Sequence, residues 1–261
     1  MAMRLLLIIL LCMPATAYGQ IFKNMAAQLK VEGVASGIGG GMGGGVSWFD
    51  ANGDGLLDLL ITPAIAPPVL YVQQKDGQGF SEAEDAVIPD TPPATAHGHL
   101  ILDIDNDGDS DVLLLRENEN VLFRNDQGTF KDVSNQQLPG SGLWSVSGAI
   151  GDYDGDGDDD ILIANYISGV SFPNHQCARN TLLENDGKGY FTDRALEFGL
   201  TKAGCSLAVT FSDYDNDGDL DMMAINDFGH FVVPNELYRN DGPDENGSWK
   251  FTDVSDESAF A

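Results

Sequence analysis

The chain has 261 residues, 41 of them acidic and 13 basic, which gives a formal net charge of −28. That length suffices for one large all-β domain or for two smaller domains. A surface with so much negative charge repels phosphate groups, so nucleic acids and anionic membranes are not expected as partners. No stretch of the sequence reaches the roughly 18 consecutive apolar residues of a membrane-spanning helix, so direct membrane insertion is not expected either.

The N-terminus has the pattern of a secretory signal peptide. Arg4 supplies the positive charge, residues 5–11 form an apolar run, and Ala15-Thr16-Ala17 offers a small-residue cleavage site. We expect cleavage to remove residues 1–19 and to leave residues 20–261 as one domain. The protein would then be secreted, periplasmic or held at the cell surface.

Two cysteines remain in the chain after such a cleavage. Cys12 lies within the signal peptide, whereas Cys177 and Cys205 lie in the mature chain. In an oxidising compartment these two are expected to form a disulfide, and the alternative is a pair of buried free thiols. A lone pair of cysteines this far apart is not a zinc-binding pattern.

The segment before the first apolar strand is rich in glycine. Residues 37–45 have the sequence GIGGGMGGG, but no strand–glycine loop–helix unit surrounds them, so a dinucleotide site is not predicted. The glycines are expected to permit close backbone packing or a tight entry turn.

A nine-residue acidic loop then occurs four times. The copies span residues 50–58, 103–111, 152–160 and 213–221, which we call loops one to four. Each has a carboxylate or amide at positions 1, 3 and 5, Gly at position 6 and Asp at position 9. Several hard oxygen ligands around one centre suit calcium, and Gly permits the sharp turn between them. Solvated acidic turns are the alternative, which the fourfold recurrence disfavours.

The loops differ from the EF-hand, which shares the first six positions. An EF-hand needs a bidentate Glu at position 12. Position 12 here is apolar in every copy: Ile61, Leu114, Ile163 and Ala224. The flanking segments are short apolar runs, so each loop is predicted to join two strands rather than two helices.

Each loop belongs to a repeat of about 50 residues. An apolar strand precedes the loop, a second and a third strand follow it, and a turn with Asp and Gly leads to a fourth strand. The fourth strands contain Phe80, Phe130, Phe191 and Phe251, and the units span about 45–88, 96–135, 144–195 and 203–256. Four short strands per repeat predict a β-propeller blade. Longer inserts at residues 168–176 and 227–234 are candidate binding segments.

Particular phrases carry a resemblance to a known family. Residues 151–158 have the sequence GDYDGDGD, residues 235–242 have NELYRNDG, and FTDV follows at 251–254. Together with the four loops, these phrases resemble FG-GAP/VCBS repeat proteins over nearly all of the mature chain. The cartilage acidic protein-like branch, which carries ASPIC/UnbV regions, is similar in pattern.

The resemblance implies an all-β fold, a β-propeller of four-stranded blades with calcium in blade loops, as in integrin α subunits. Family propellers usually have seven blades, whereas four repeat units are visible here. We therefore expect the chain to form part of a larger propeller, with further blades or domains as partners if it is a fragment, or to form an unusual assembly.

The resemblance also implies the calcium ligands. By the family pattern, positions 1, 3, 5 and 9 supply side-chain oxygens and position 7 supplies its backbone carbonyl. The implied ligands are Asp50, Asn52, Asp54, Leu56 and Asp58 in loop one; Asp103, Asp105, Asp107, Asp109 and Asp111 in loop two; Asp152, Asp154, Asp156, Asp158 and Asp160 in loop three; and Asp213, Asp215, Asp217, Asp219 and Asp221 in loop four. Asn52 replaces an Asp, so loop one is expected to be the weakest of up to four sites.

These observations favour a non-catalytic recognition or adhesion module that binds an extracellular protein or glycan. The alternative is a secreted enzyme acting on polysaccharide or another extracellular substrate. The sequence contains no G-x-S-x-G, H-E-x-x-H or P-loop motif.

The histidines are the residues that could support the enzyme alternative. His97 and His99 occupy alternate strand positions and are expected on one face, where they could bind a metal or act as a base. Ordinary strand histidines are the competing interpretation. His175 and His230 lie in the two longer inserts.

Overall fold

A computed structural model describes residue 27 and residues 44–63, 66–75, 79–83, 96–168 and 176–256. The predicted signal peptide, residues 37–43 of the glycine-rich segment, the Asp76-Gly77 turn and His175 lie outside these described residues. Within them, no helix is both long enough and apolar enough to cross a membrane.

The described chain forms four antiparallel sheets, each built from consecutive strands, which we call sheets one to four. Their main strands are β1 (Gly44–Phe49), β2 (Asp58–Pro63), β3 (Val69–Gln73) and β4 (Phe80–Glu82); β5 (Ala96–Leu102), β6 (Asp111–Arg116), β7 (Val121–Asp126) and β8 (Thr129–Asp132); β9 (Leu143–Gly151), β10 (Asp160–Ser168), β12 (Thr181–Asn185) and β13 (Phe191–Asp193); and β14 (Ser206–Ser212), β15 (Asp221–Asn226), β16 (Glu236–Pro243) and β17 (Trp249–Asp253). The predicted all-β class and the four-stranded repeat are confirmed. This arrangement is compatible with a propeller-like fold.

Three elements were not predicted. A short strand, β11 (Gln176–Cys177), pairs with the end of β10. A one-turn helix, α1 (Ser134–Gln137), follows β8, and a 3-10 helix (Gly229–Phe231) lies between β15 and β16. Each is too short to give a periodic apolar pattern, which is the signal that sequence analysis depends on.

In sheets two and three, the second strand contributes to two hydrophobic cores, one on each face of the sheet. On β6, Val112 and Leu114 pack in a cluster with residues of sheet one, whereas Leu113 and Leu115 pack with residues of sheet three. Successive side chains of a strand point to opposite faces, so a strand between two sheets is apolar at nearly every position. This explains the continuous apolar runs after the loops.

A buried asparagine joins each sheet to the loop of the preceding one. The side-chain amide of Asn125 donates to the Ala51 carbonyl at 3.1 Å, that of Asn185 to Ile104 at 3.0 Å, and that of Asn240 to Tyr153 at 3.0 Å. The accepting residue is position 2 of the preceding loop each time. We call this contact the asparagine latch, because it repeats at all three junctions between consecutive sheets.

Removing one latch should destabilise the protein. In Asn240→Ala, the Tyr153 carbonyl and the Gly242 amide both lose a buried partner. We expect the free energy of unfolding to fall by about 1–3 kcal/mol, measured by urea denaturation in chelator. The matched control is Asn135→Ala, an exposed asparagine of α1, which should change it by less than about 0.5 kcal/mol. An Asn240→Ala protein as stable as the control would show that the latch contributes nothing.

The predicted disulfide is confirmed and joins two sheets. Cys177 on β11 of sheet three is bonded to Cys205, which is fully buried directly before β14 of sheet four. A backbone bridge between Arg179 and Ala203 lies beside it. The covalent bond therefore reinforces the junction between sheets three and four.

Loss of this disulfide should lower stability. Cys177→Ala with Cys205→Ala opens a loop of 28 residues, and we expect the free energy of unfolding to fall by about 2–4 kcal/mol. Adding reductant should lower the melting temperature of the unmodified protein and leave that of the variant unchanged. Equal melting temperatures for the two proteins without reductant would contradict this expectation.

Candidate metal centres in the acidic loops

The first aspartate of each loop folds the loop around itself. In loop two, Asp103 Oδ1 accepts the amide of Asp107 at 3.2 Å and Oδ2 accepts the amide of Gly108 at 2.9 Å. The same two bonds, from positions 5 and 6, occur in loops one, three and four. These backbone-to-carboxylate bonds hold the first aspartate at the centre of its loop.

Two positions in each loop adopt the left-handed backbone region. Position 6 is always Gly, with φ from +82° to +102°. Position 4 is Gly53, Asn106, Gly155 or Asn216, with φ from 59° to 71°. Gly and Asn are the residues that tolerate this region best. The requirement at position 4 was missed, although the sequence shows only Gly or Asn there.

The closing aspartate at position 9 ties the loop to the third strand. Asp111 accepts the Ile104 amide at 2.8 Å and the Asn125 amide at 2.7 Å. The corresponding pairs of bonds occur at the other three closing aspartates, which are all buried: Asp58, Asp160 and Asp221. These carboxylates therefore have structural partners in addition to any role as ligands.

Three loops bring three predicted ligands together. The groups are Asp103, Asp105 and Asp111; Asp152, Asp154 and Asp160; and Asp213, Asp215 and Asp221, and each has oxygens within 4.8 Å of one another. Such a group could hold a metal ion. In the described part of the chain loop one forms no such acidic group, because Asn52 takes the middle place, and its Asp54 lies 3.8 Å from Lys75 Nζ. Loop one therefore has one fewer carboxylate to offer a cation than the other three loops.

Electrostatics in these groups disfavour the ion-free state. Burial, with the charges of Asp105 and Asp103, raises the pKa of Asp111 to about 7. Burial, with the charges of Asp154 and Asp156, raises the pKa of Asp160 to about 8. A bound cation would relieve both the repulsion and the cost of burying a carboxylate.

One buried oxygen supports the fit to a cation directly. Asp105 Oδ1 is buried and has no hydrogen-bond partner among the described residues. A buried carboxylate oxygen without a partner is costly, whereas a cation in the loop would satisfy it. The all-oxygen donor set suits a hard ion such as calcium. The residues present therefore fit the implied group.

The two histidines of β5 have different neighbours, although their alternate positions predict a shared face. The strand has a register irregularity between Ala96 and Gly98, which disrupts the simple alternation of side chains at His97. His99 Nδ1 lies 2.9 Å from Thr62 Oγ1 of sheet one, whereas the ring of His97 lies 5.0 Å from that of Trp144 in sheet three. Both line a cavity of about 210 Å³, but their rings contact different sheets.

Burial lowers the pKa of His99 to about 4, so this imidazole is neutral at physiological pH. His175 lies outside the described residues, and for His230 only the backbone, in the 3-10 helix, is described. No shared histidine site is therefore found within the described part of the chain.

Comparison with known families agrees with the repeat. The family model for the FG-GAP-like repeat matches the chain twice, at residues 50–114 and 103–163. Each match begins at the first aspartate of a loop and ends in the second strand of the next sheet. Residues 50–163 therefore match the FG-GAP-like repeat, in agreement with the resemblance. No curated protein matches the chain.

Among solved structures, a lectin from Agrocybe aegerita, described for its specific recognition of non-reducing terminal N-acetylglucosamine, is 18% identical with a TM-score of 0.47. The match covers 80% of this chain and 52% of the lectin chain. This chain thus spans about half the length of the lectin. A likeness at this TM-score supports no argument about the ligand.

Side chains at the left-handed loop positions should be destabilising. In Gly108→Ala, φ of +93° should cost about 1–2 kcal/mol of unfolding free energy, although the site has open space for a methyl group. Gly140→Ala is the matched control, because it also has open space but an ordinary φ, and should be neutral or slightly stabilising. Equal stability of the two variants in urea denaturation would contradict the assigned loop geometry.

Proposed function

We propose that this protein is a secreted, calcium-stabilised recognition module with no catalytic role, built as part of a β-propeller in the manner of the cartilage acidic protein-like branch. The observation that carries the proposal is the repeated loop in which three aspartates have oxygens within 4.8 Å of one another. The family repeat at residues 50–163 and the disulfide of an oxidising compartment support it.

Calcium in this proposal is structural. It binds side-chain oxygens at loop positions 1, 3, 5 and 9 and the carbonyl at position 7, and it neutralises the crowded carboxylates. The loops also touch one another: the side-chain amide of Asn106 in loop two donates to Asp158 Oδ1 in loop three at 2.6 Å. Ion binding in one loop would therefore also strengthen its contact with the next sheet.

Recognition is assigned to the insert between β15 and β16. It exposes three large apolar side chains, with Phe231 82% exposed, Val232 50% and Phe228 43%. Adjacent exposed apolar residues on a polar surface are a common mark of an interaction site. The expected partner is an extracellular protein or glycan. The secreted-enzyme alternative has no specific observation in its favour among the described residues.

A pair of variants in loop three tests the calcium sites. Asp154→Asn removes a proposed ligand charge, whereas Asp159→Asn makes the same chemical change at an exposed loop residue outside the ligand pattern. At calcium a hundredfold above the dissociation constant, one site contributes about 2.7 kcal/mol of stability. We expect Asp154→Asn to lose up to that amount of the calcium-dependent stabilisation and Asp159→Asn to keep it.

The measurement is thermal unfolding of the three proteins across a calcium titration and in chelator. The unmodified protein should show a higher melting temperature in calcium. A melting temperature that does not respond to calcium, or equal losses in both variants, would contradict the proposal.

A further inference from the structure

The three internal junctions between sheets use the same positions. The residue two places before each loop packs in a cluster with the preceding sheet, and these residues are Ile101, Ile150 and Phe211. The residue four places after the closing aspartate contacts the following sheet: Leu115 and Ala164 pack in apolar clusters with it, and Thr62 Oγ1 lies 2.9 Å from His99 Nδ1. Each sheet therefore has one face built for a preceding sheet and one built for a following sheet.

On sheet one, the face for a preceding sheet is exposed along its first strand. Trp48, two places before loop one, is 55% exposed, and Val46 on the same side is 65% exposed. Both pair across β1 and β2 with apolar residues, Trp48 with Leu59 and Val46 with Ile61. We call Val46, Trp48 and Ile61 the leading face.

On sheet four, the face for a following sheet is also exposed. Ile225, four places after Asp221, is 42% exposed. Ala208 and Thr210 lie on the same side of the sheet, since they pair with Ile225 and Met223, and both are exposed. We call Ala208, Thr210 and Ile225 the trailing face. None of these six residues is charged, although the chain as a whole is strongly charged and Glu82 lies on the Trp48 side of sheet one, at its outer strand.

The latch positions at these two ends are also complementary. Tyr214 is position 2 of loop four, so its carbonyl occupies the place that accepts a latch in loops one to three. Gln73 occupies the latch position of sheet one, because its backbone N–H donates to Asp58 Oδ1 just as the backbone N–H of Asn125 donates to Asp111 Oδ1. Glutamine carries the same amide donor as asparagine on one more methylene.

We propose that the leading face of one chain packs against the trailing face of a second copy, with Gln73 bonding the Tyr214 carbonyl of that copy. Each chain presents both halves of the junction, so a two-fold pair makes two identical junctions and closes one ring from two copies of the four described sheets. The second copy is the occupant that fits, because the pairing continues a junction already made three times within the chain. This inference rests on the propeller arrangement proposed above, but not on calcium as the ion.

The test is the mass of the purified chain in calcium buffer, measured by light scattering during size-exclusion chromatography. The unmodified chain should have the mass of two copies. Trp48→Asp and Ile225→Asp should each reduce the mass to one copy, since a charge would be buried in both junctions. An equal mixture of the two variants should restore the mass of two copies, because one junction of the mixed pair is unmodified.

Leu196→Asp is the matched control, since Leu196 is 61% exposed but lies on neither face, and it should keep the mass of two copies. All three substituted residues are exposed, but the Trp48 ring also packs against the Phe80 ring, with centroids 5.7 Å apart. Ile225→Asp and Leu196→Asp should therefore keep the calcium-dependent rise in melting temperature that the unmodified protein shows. A one-copy mass for the unmodified chain would overturn the pairing, as would a dimer that Trp48→Asp abolishes but Ile225→Asp does not affect. A one-copy mass with a calcium-dependent melting curve would contradict the pairing but leave the proposed function standing. A two-copy mass without a calcium response would support the pairing but contradict the proposed function.

Discussion

The buried closing aspartate is the contact on which each repeat depends. Its carboxylate accepts one amide from the second loop residue and one from the third strand, so a single side chain fixes the loop against its own sheet. Burial raises the pKa of Asp111 to about 7 and that of Asp160 to about 8, so the ionised form is disfavoured without a counter-charge. A cation in the loop supplies that counter-charge, and ion binding and folding are therefore coupled in this account.

The third-strand residue that bonds the closing aspartate also connects its sheet to the preceding one. The third-strand residue whose amide reaches the closing aspartate is the asparagine that latches onto the preceding loop, as Asn125 and Asn185 show. Loop, third strand and neighbouring sheet thus form one connected unit. Because each unit contacts mainly its neighbours, stability in such an array is close to a sum of unit and junction terms. An unpaired junction at either end then leaves apolar surface exposed, as Trp48 and Ile225 illustrate.

The sequence predicted the features that have a strong local signal. The strands flanking each loop and the loop spacing follow from apolar runs and repeated acids, and the Cys177–Cys205 pair was expected from the predicted signal peptide. The full length of β9 and β10 could not be predicted, because pairing between strands extends them beyond their apolar runs. The position of His97 could not be predicted either, since a register irregularity changes which sheet it contacts. The latch depends on residues such as Asn125 and Ala51 that are distant in sequence, so only the fold reveals it.

Calcium binding by the acidic loops is tested most directly by the number of calcium ions that one chain binds, measured by isothermal titration calorimetry after removal of bound metal. We expect three sites of similar affinity, from loops two, three and four, and a weaker fourth from loop one, where Asn52 replaces a carboxylate. Binding of no ion, or of ions that Asp105→Asn, Asp154→Asn and Asp215→Asn together do not reduce, would contradict it.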